Sequence, residues 1–345
     1  MDCIVYGAGF FGLHVTELLL AAGIRPRCLF DRDVKKQGRR WMGVPVREPE
    51  PHLAEGCRII IAHASPQVTE NIRTDLRARG FHNIEPVYDF ANKEENATIF
   101  SGQIIPLYAD VCALQRAKKE IARADEIFCD TESRNVFRAI IQGLERRSFF
   151  GVPAKPISKQ YLLPEISYRE DEVFCDIGAG PGVEFLKSVQ DAAIPFRDFY
   201  LFDPCPTVSD EVRLTTDRRI VFCEKAIGAQ CGTVRVKNYW DMNACIAADG
   251  EIEAECIPLD MIPFEKQPTF MKIDVEGWER KVLQGMKQLI AENRPILAMA
   301  CYHKIEDFWE LPLLFAQMPR VRFFLRSYMG VHETVLYVVP EERLL

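Results

Sequence analysis

From residue 1 to about 90, short apolar runs alternate with amphipathic stretches: CIVYGAG, a helical segment through ELLLAAG, PRCLFD, GVPV, CRIIIAHA, a helical segment through TENIRTDLRARG, then NIEPVY. This alternation predicts a small parallel sheet covered by helices. The pattern changes over residues 93–165. Ile104, Leu107, Val111, Leu114 and Ile121 fall at helical spacing, and a second helix is predicted after DTES, with Val136, Ile140, Ile141 and Leu144 on one face. From about residue 166 the alternation restarts with VFCDIGAGPG, DFYLFDP, IVFCEKAIG, FMKIDVEG and PILAMACYH, and it closes with VRFFLRSYM and ETVLYVVP. No helix-length segment separates the last two runs, so they are predicted to pair antiparallel. The stretch from GTVRVKNYW to GEIEAECIPLD predicts an added edge hairpin, and Trp278, Val282, Met286 and Leu289 share the buried face of one predicted helix.

The expected organisation is α/β in three parts. Residues 1–92 form a small Rossmann-like parallel sheet, 93–165 a helical connector, and 166–345 a doubly wound sheet. In the last part, five parallel-type runs precede an antiparallel pair, the order of a class I methyltransferase sheet. Composition agrees with a folded α/β protein: 48% of the 345 residues are hydrophobic and 27% charged. The 43 basic and 50 acidic residues give a net charge of -7, with no basic block longer than two residues. Nucleic acid and anionic membranes are therefore not expected partners. The first residues, MDCIVYGAGFFG, carry no basic region ahead of their apolar stretch, and no apolar run approaches the roughly 18 residues of a membrane span, so a cytoplasmic protein is expected. None of the twelve cysteines forms a CxxC pair and the six histidines show no HxH or HxxxH spacing, so no resident metal is expected.

Two glycine loops carry candidate chemistry. In GAGFFG, Gly7, Gly9 and Gly12 have GxGxxG spacing between a strand and a helix, and Asp31 ends the next strand. Such a loop can bring backbone and a helix N-terminus against a phosphate, with Asp31 accepting from ribose hydroxyls. The unit has no second mononucleotide-binding half, and glycines also serve close strand–helix packing, so an empty or nucleotide-sugar-binding regulatory domain is the favoured reading. In DIGAGPG, Asp176, Gly178, Ala179, Gly180 and Gly182 follow an apolar strand, and Asp203 ends the next one. This spacing suits a ligand without pyrophosphate, such as S-adenosylmethionine, with Asp203 accepting from its ribose diol. Asp274 ends a later strand and Glu276 follows. Because ligands of open α/β sheets sit outside the carboxyl ends of the strands, Asp176, Asp203 and Asp274 are expected to converge.

At KIDVEGWERKVLQG the chain resembles the FkbM family of S-adenosylmethionine-dependent methyltransferases, whose signature is K-I-D-V-E-G-x-E followed by V-L-x-G. The resemblance runs from DTES through KQYLLPE, DIGAG, FDP and AIG to PILAMACYHKIEDFWELP and ETVLY, about residues 100 to 340. Departures are the Gly180-Pro181 centre of the glycine loop and Asp203 where many members carry Glu. Residues 1–90 resemble the Rossmann-like modules fused to some FkbM proteins and to bacterial sugar-nucleotide acyltransferases.

The resemblance implies transfer of a sulfonium methyl to a hydroxyl of a sugar or other small metabolite, with a base taking the proton. Asp274, His303 and Glu276 are the expected catalytic residues: Asp274 orients the cofactor or receives the proton, His303 is the second candidate base, and Glu276 pairs with Lys272 or Arg280. Lys225, Ala226 and Ile227 are expected near the adenine, and Tyr161 with Arg326 or Tyr328 at the entrance. The competing readings are an NAD(P)-dependent oxidoreductase using Gly7, Gly9, Gly12 and Asp31, and a binding protein that senses a nucleotide-sugar through the same loop.

Overall fold

The computed structural model describes residues 2–63, 65–100, 111–146, 151–180, 182–205, 212, 215–239 and 243–345. The chain folds into two compact units, Met1–Arg116 with Ala139–Val152 and Gly330–His332, and Ala117–Arg138 with Pro153–Met329 and Glu333–Leu345. Residues 93–165 are shared between these units, and they carry the helices Val111–Arg116, Lys118–Ile127 and Thr131–Arg146. Asp130 starts the last of these helices, its Oδ1 accepting from Ser133 N at 2.6 Å. Val136, Ile140 and Leu144 are buried as their spacing predicts, whereas Ile104, Leu107 and Pro181 lie outside the described residues.

The first unit holds a six-stranded sheet of β1 (Cys3–Tyr6), β2 (Leu29–Phe30), β3 (Arg40–Trp41), β4 (Val44–Arg47), β5 (Arg58–Ile61) and β6 (Ile84–Pro86), in the order β3-β4-β2-β1-β5-β6. All its pairings are parallel except β3 with β4. Ile4, Tyr6, Phe30, Ile59, Ile61 and Phe81 form its core. The helix Phe10–Ala21 follows β1 so closely that a Cβ on Gly12 would stand 1.9 Å from the Gly7 carbonyl oxygen. Close packing alone thus requires a glycine there.

The second unit contains β7 (Glu172–Ile177), β8 (Phe196–Phe202), β9 (Ile220–Cys223), β10 (Ala226–Ile227), β11 (Gly232–Tyr239), β12 (Asn243–Ile246), β13 (Ile252–Ile257), β14 (Phe270–Ile273), β15 (Ile296–Ala300), β16 (Val321–Met329) and β17 (His332–Pro340). Seven of them make one sheet, β16-β17-β15-β14-β7-β8-β9. β9, β8, β7, β14 and β15 are parallel, and β17 runs antiparallel to β15. The inner strands β7, β14 and β15 are buried along their whole length, as strands covered on both faces must be. Phe174 anchors the core, 5.4 Å from Phe199 and 5.3 Å from Phe270 between ring centroids.

Two local expectations are corrected. The segment expected as an edge hairpin belongs to a separate four-stranded sheet, β10-β13-β11-β12. The run IVFCEKAIG breaks into β9 and β10, and β10 pairs in parallel with β13. Val236, Tyr239, Ala254 and Cys256 then give β11 and β13 buried positions of their own. The single helix expected from Trp278 to Leu289 is two helices, Glu279–Gln284 and Lys287–Asn293. A Cβ on Gly285 would lie 1.9 Å from the Gly228 carbonyl oxygen. The Gly285 carbonyl is taken by Asp260 N, while the Asp260 carboxylate accepts from Gln288 N and Leu289 N and starts the second helix.

Candidate active site

The carboxyl ends of β7, β8 and β14 and the loop after β15 border a cavity of about 490 Å³. Parallel registry builds its floor. Lys272 on β14 is the direct partner of Asp176 on β7, so both side chains leave the same face of the sheet. Lys272 Nζ donates to Asp176 Oδ1 at 2.7 Å and to the Gly178 carbonyl at 2.9 Å, and both side chains are buried. Burial pushes Asp176 up to about 6, opposed by the lysine. For Lys272 the burial effect is outweighed by the charges of Asp176 and Asp274, and its pKa is raised.

Beyond Asp176 the chain turns at Gly178, whose φ of +81° and position 1.8 Å (from its would-be Cβ) from the Asp274 carbonyl oxygen exclude a side chain. Gly180 N donates to Asp203 Oδ2 at 2.8 Å and Cys205 N donates to Asp203 Oδ1 at 2.8 Å. Burial raises the Asp203 pKa against these two hydrogen bonds. Each oxygen keeps a second lone pair for a diol. Gly178, Ala179, Gly180, Asp203, Lys225, Ala226 and Ile227 all line the cavity. The Lys225 ammonium is paired with Glu255. Gly182 lies off the cavity wall, with its would-be Cβ 3.4 Å from Val212.

At the other end, Asp274 Oδ2 accepts from the Tyr161 hydroxyl at 2.7 Å, while Oδ1 has no hydrogen-bond partner among the described residues and stands 3.6 Å from His303 Nε2. Asp274, Glu276, Tyr161, Tyr302, Gln160 and Glu333 line this end. His303 sits behind them, 2% exposed and not on the wall, with Nδ1 2.8 Å from Glu279 Oε1 and Nε2 3.2 Å from Glu276 Oε2. Burial by itself would lower its pKa, but Glu279 and Glu276 outweigh burial and hold it well above the usual histidine range. The same pairing keeps Glu279 below its ordinary value despite burial. Glu333 is pushed up to about 7 by burial and by the Asp274 and Glu276 charges, against the Gln160 hydrogen bond and His303.

Three pairings differ from expectation. Glu276 faces His303, because Lys272 is committed to Asp176 and Arg280 to Asp307 and Glu310. Arg326 is 1% exposed, held by Asp130 and Glu165 at 2.9 Å each, and Tyr328 is buried with its hydroxyl 2.7 Å from that of Tyr337, so neither reaches the cavity. Tyr161 does line it. The residues that periodicity and spacing miss are Lys272 as the partner of Asp176, Gln160, Tyr302 and Glu333. The ETVLY run contains Glu333 in plain view, but as a polar residue at the start of an apolar strand.

In the first unit, Asp31 Oδ2 accepts from Ala8 N at 2.7 Å and Oδ1 from Asp33 N at 2.9 Å, with Lys36 Nζ 3.5 Å from Oδ2. Gly7, Gly9 and Asp31 therefore make a turn that is tied by its own hydrogen bonds. Among the described residues, no group of three or more His, Cys, Asp or Glu is placed to hold a metal ion, and no helix is long and apolar enough to cross a membrane.

Whether the second-unit cavity suits an adenosyl sulfonium is answered by its donor set. The glycine cradle admits backbone contact, Asp203 presents a carboxylate for a diol, and Asp274 Oδ1 and Trp278 Nε1 on the wall are buried without hydrogen-bond partners among the described residues. Carboxylates tolerate a cation, so these residues fit the group.

Residues 218–329 match the model of the methyltransferase FkbM domain. No curated protein matches the chain. Among solved structures, the methyltransferase FkbM from Methylobacillus flagellatus KT is similar with a TM-score of 0.71 at 17% identity, covering 98% of this chain and 89% of that one. The precorrin-6y C5,15-methyltransferase from Geobacter metallireducens GS-15 reaches a TM-score of only 0.30 at 12% identity, over 50% of this chain and 81% of that one, and supports no argument. The match of residues 218–329 to the methyltransferase FkbM domain, on a chain that shares the fold of an FkbM methyltransferase, supports a methyltransferase.

Proposed function

We propose that the second unit binds S-adenosylmethionine and methylates a hydroxyl of a sugar or another small metabolite. The observation that carries this reading is Asp203, fixed by Gly180 N and Cys205 N at the rim of the same cavity that Asp274 enters from β14. Its volume of about 490 Å³ is that of a small-molecule site, about 300–1,000 Å³. Gly178, Ala179 and Gly180, with Asp176 beneath them, take the amino-acid end of the ligand. Asp203 takes the ribose hydroxyls, and Lys225, Ala226 and Ile227 border the adenine.

S-adenosylmethionine supplies a methyl group activated by a sulfonium. The chain's own part is alignment, exclusion of water and handling of one proton. Asp274 and Glu276 make the methyl end acidic, which favours a cationic donor and a neutral acceptor and disfavours phosphate or carboxylate acceptors. Asp274 is held by Tyr161 on one oxygen and faces His303 with the other, so it orients what binds there. His303 keeps its proton near neutral pH and fixes Glu276 and Glu279 from behind.

Incubation with labelled S-adenosylmethionine and a panel of methyl glycosides tests the reading. It predicts release of S-adenosylhomocysteine together with a methyl ether, identified by mass spectrometry. Methyl transfer to nitrogen or carbon acceptors alone would contradict it.

A further inference from the structure

Eight non-glycine residues have positive φ among the described residues, and three of them, Tyr161 (+67°), Glu276 (+50°) and Glu333 (+56°), line this one cavity. Left-handed backbone at a residue with a side chain costs about 1–2 kcal/mol, and such strain concentrates where a side chain must be aimed. Tyr161 holds Asp274 and Glu276 faces His303. Glu333, at the start of β17, has no such partner. Its Oε2 accepts from Gln160 Nε2 at 2.7 Å, and among the described residues Oε1 accepts no hydrogen bond.

We propose that Glu333 is the general base of the methyl transfer, receiving the proton of the acceptor hydroxyl. The inference rests on the reading of the cavity as a site for a sulfonium methyl donor. The groups that face Glu333 come from three segments: Asp274 and Glu276 after β14, Tyr302 and His303 after β15, and Gln160 with Tyr161 ahead of β7. Asp274 is less suited to the step, because one oxygen already holds the Tyr161 hydrogen bond and the other faces the protonated His303. Glu333 is half-buried, accepts from a neutral amide, and stands near carboxylates that favour its protonated form. Its pKa near 7 matches a base that must be ionised before the reaction and protonated after it.

The step balances. The acceptor O–H bond breaks and its proton passes to the Glu333 carboxylate. The oxygen's lone pair forms the new bond to the methyl carbon as the carbon–sulfur bond breaks, its electron pair remaining on sulfur. The products are a methyl ether, the neutral thioether S-adenosylhomocysteine and protonated Glu333, which loses its proton to solvent.

The test uses the full chain carrying carboxyl-13C glutamate, saturated with S-adenosylhomocysteine and titrated by NMR, with Glu333→Gln as the assigning variant. A resonance missing only in E333Q and titrating near pH 7 supports the proposal, whereas a midpoint near the ordinary 4.3 overturns it. With methyl glycosides as acceptors, E333Q should lose about a hundredfold or more in kcat, together with the rise of the rate through pH 7. It should keep its affinity for S-adenosylhomocysteine, and Glu333→Asp should recover part of the rate. An E333Q variant with unchanged kcat and pH profile overturns the proposal. Where no glycoside is methylated by the wild type, the NMR midpoint decides. Failure of S-adenosylhomocysteine to bind the wild type defeats the reading of the cavity itself and is thereby told apart from failure of Glu333.

Discussion

His303 Nδ1 lies 2.8 Å from Glu279 Oε1, and both side chains are almost fully buried. A buried ion pair is strongly destabilised when one partner is removed, because the other charge is left without compensation. The His303 pKa is held well above 6.5, so its contribution is complete below that value and is lost as pH rises through the raised folded value. Glu279 is depressed below 4.5, so its contribution is complete above that value and is lost as pH falls through the lowered folded value. Both contributions are complete between pH 4.5 and 6.5, and at pH 7 the loss of the His303 part has only begun. His303→Ala is expected to lower stability at pH 7 by about 3–5 kcal/mol in urea unfolding. The gap to wild type should narrow in alkaline solution, where the wild type loses the pair. An equal stability for the two proteins at pH 7 would contradict the pairing.

Gly178 and Gly180 separate two effects of one loop. A Cβ on Gly178 meets the Asp274 carbonyl oxygen at 1.8 Å, while a Cβ on Gly180 meets nothing within 4 Å, and Gly180 lines the cavity. Gly178→Ala is expected to destabilise the fold by more than about 1–2 kcal/mol and to abolish binding of S-adenosylhomocysteine. Gly180→Ala should cost only about 1–2 kcal/mol in stability while still weakening the ligand. Thermal unfolding paired with ligand titration distinguishes them, and equal stability losses in the two variants would contradict the account.

Arg326 offers the converse case. It is buried with Asp130 and Glu165 at 2.9 Å each and Ser133 Oγ at 2.8 Å, away from the cavity. Arg326→Leu removes the guanidinium from two partly exposed carboxylates, of which Asp130 keeps the Ser133 N hydrogen bond, and is expected to cost about 1–3 kcal/mol, with affinity for S-adenosylhomocysteine unchanged below the melting temperature. A loss of affinity without a loss of stability would place Arg326 at the site after all.

The sheet of the second unit was legible because apolar residues lead into Asp176, Asp203 and Asp274, each at or next to a strand end before a turn. Period alone revealed these strand ends, and the parallel connections bring them to one edge. The partners across the sheet were not legible, because Lys272 meets Asp176 through strand registry and the two are 96 positions apart. His303 was visible as a strand-end histidine, but its charge depends on Glu279 and Glu276, which a helix start and a loop deliver from elsewhere. Glu333 reads in sequence as the polar edge of an apolar strand. Only its left-handed backbone and its place on the cavity wall single it out. The helix break at Gly285 was hidden for a similar reason, since the carbonyl that forbids a side chain there belongs to Gly228.

The central claim is that the cavity beside Asp203 takes the adenosyl ligand, and calorimetric titration with S-adenosylhomocysteine tests it most directly, using wild type, Asp203→Ala and Gly9→Asp. Removing the Asp203 carboxylate forfeits the diol contact and leaves Gly180 N and Cys205 N without their acceptor, a loss of about 1–3 kcal/mol, or about fivefold to more than a hundredfold in affinity. The account predicts binding that is weakened to that extent in Asp203→Ala and unchanged in Gly9→Asp. Binding of NADH that disappears in Gly9→Asp, with no heat from S-adenosylhomocysteine in any of the three proteins, would contradict it.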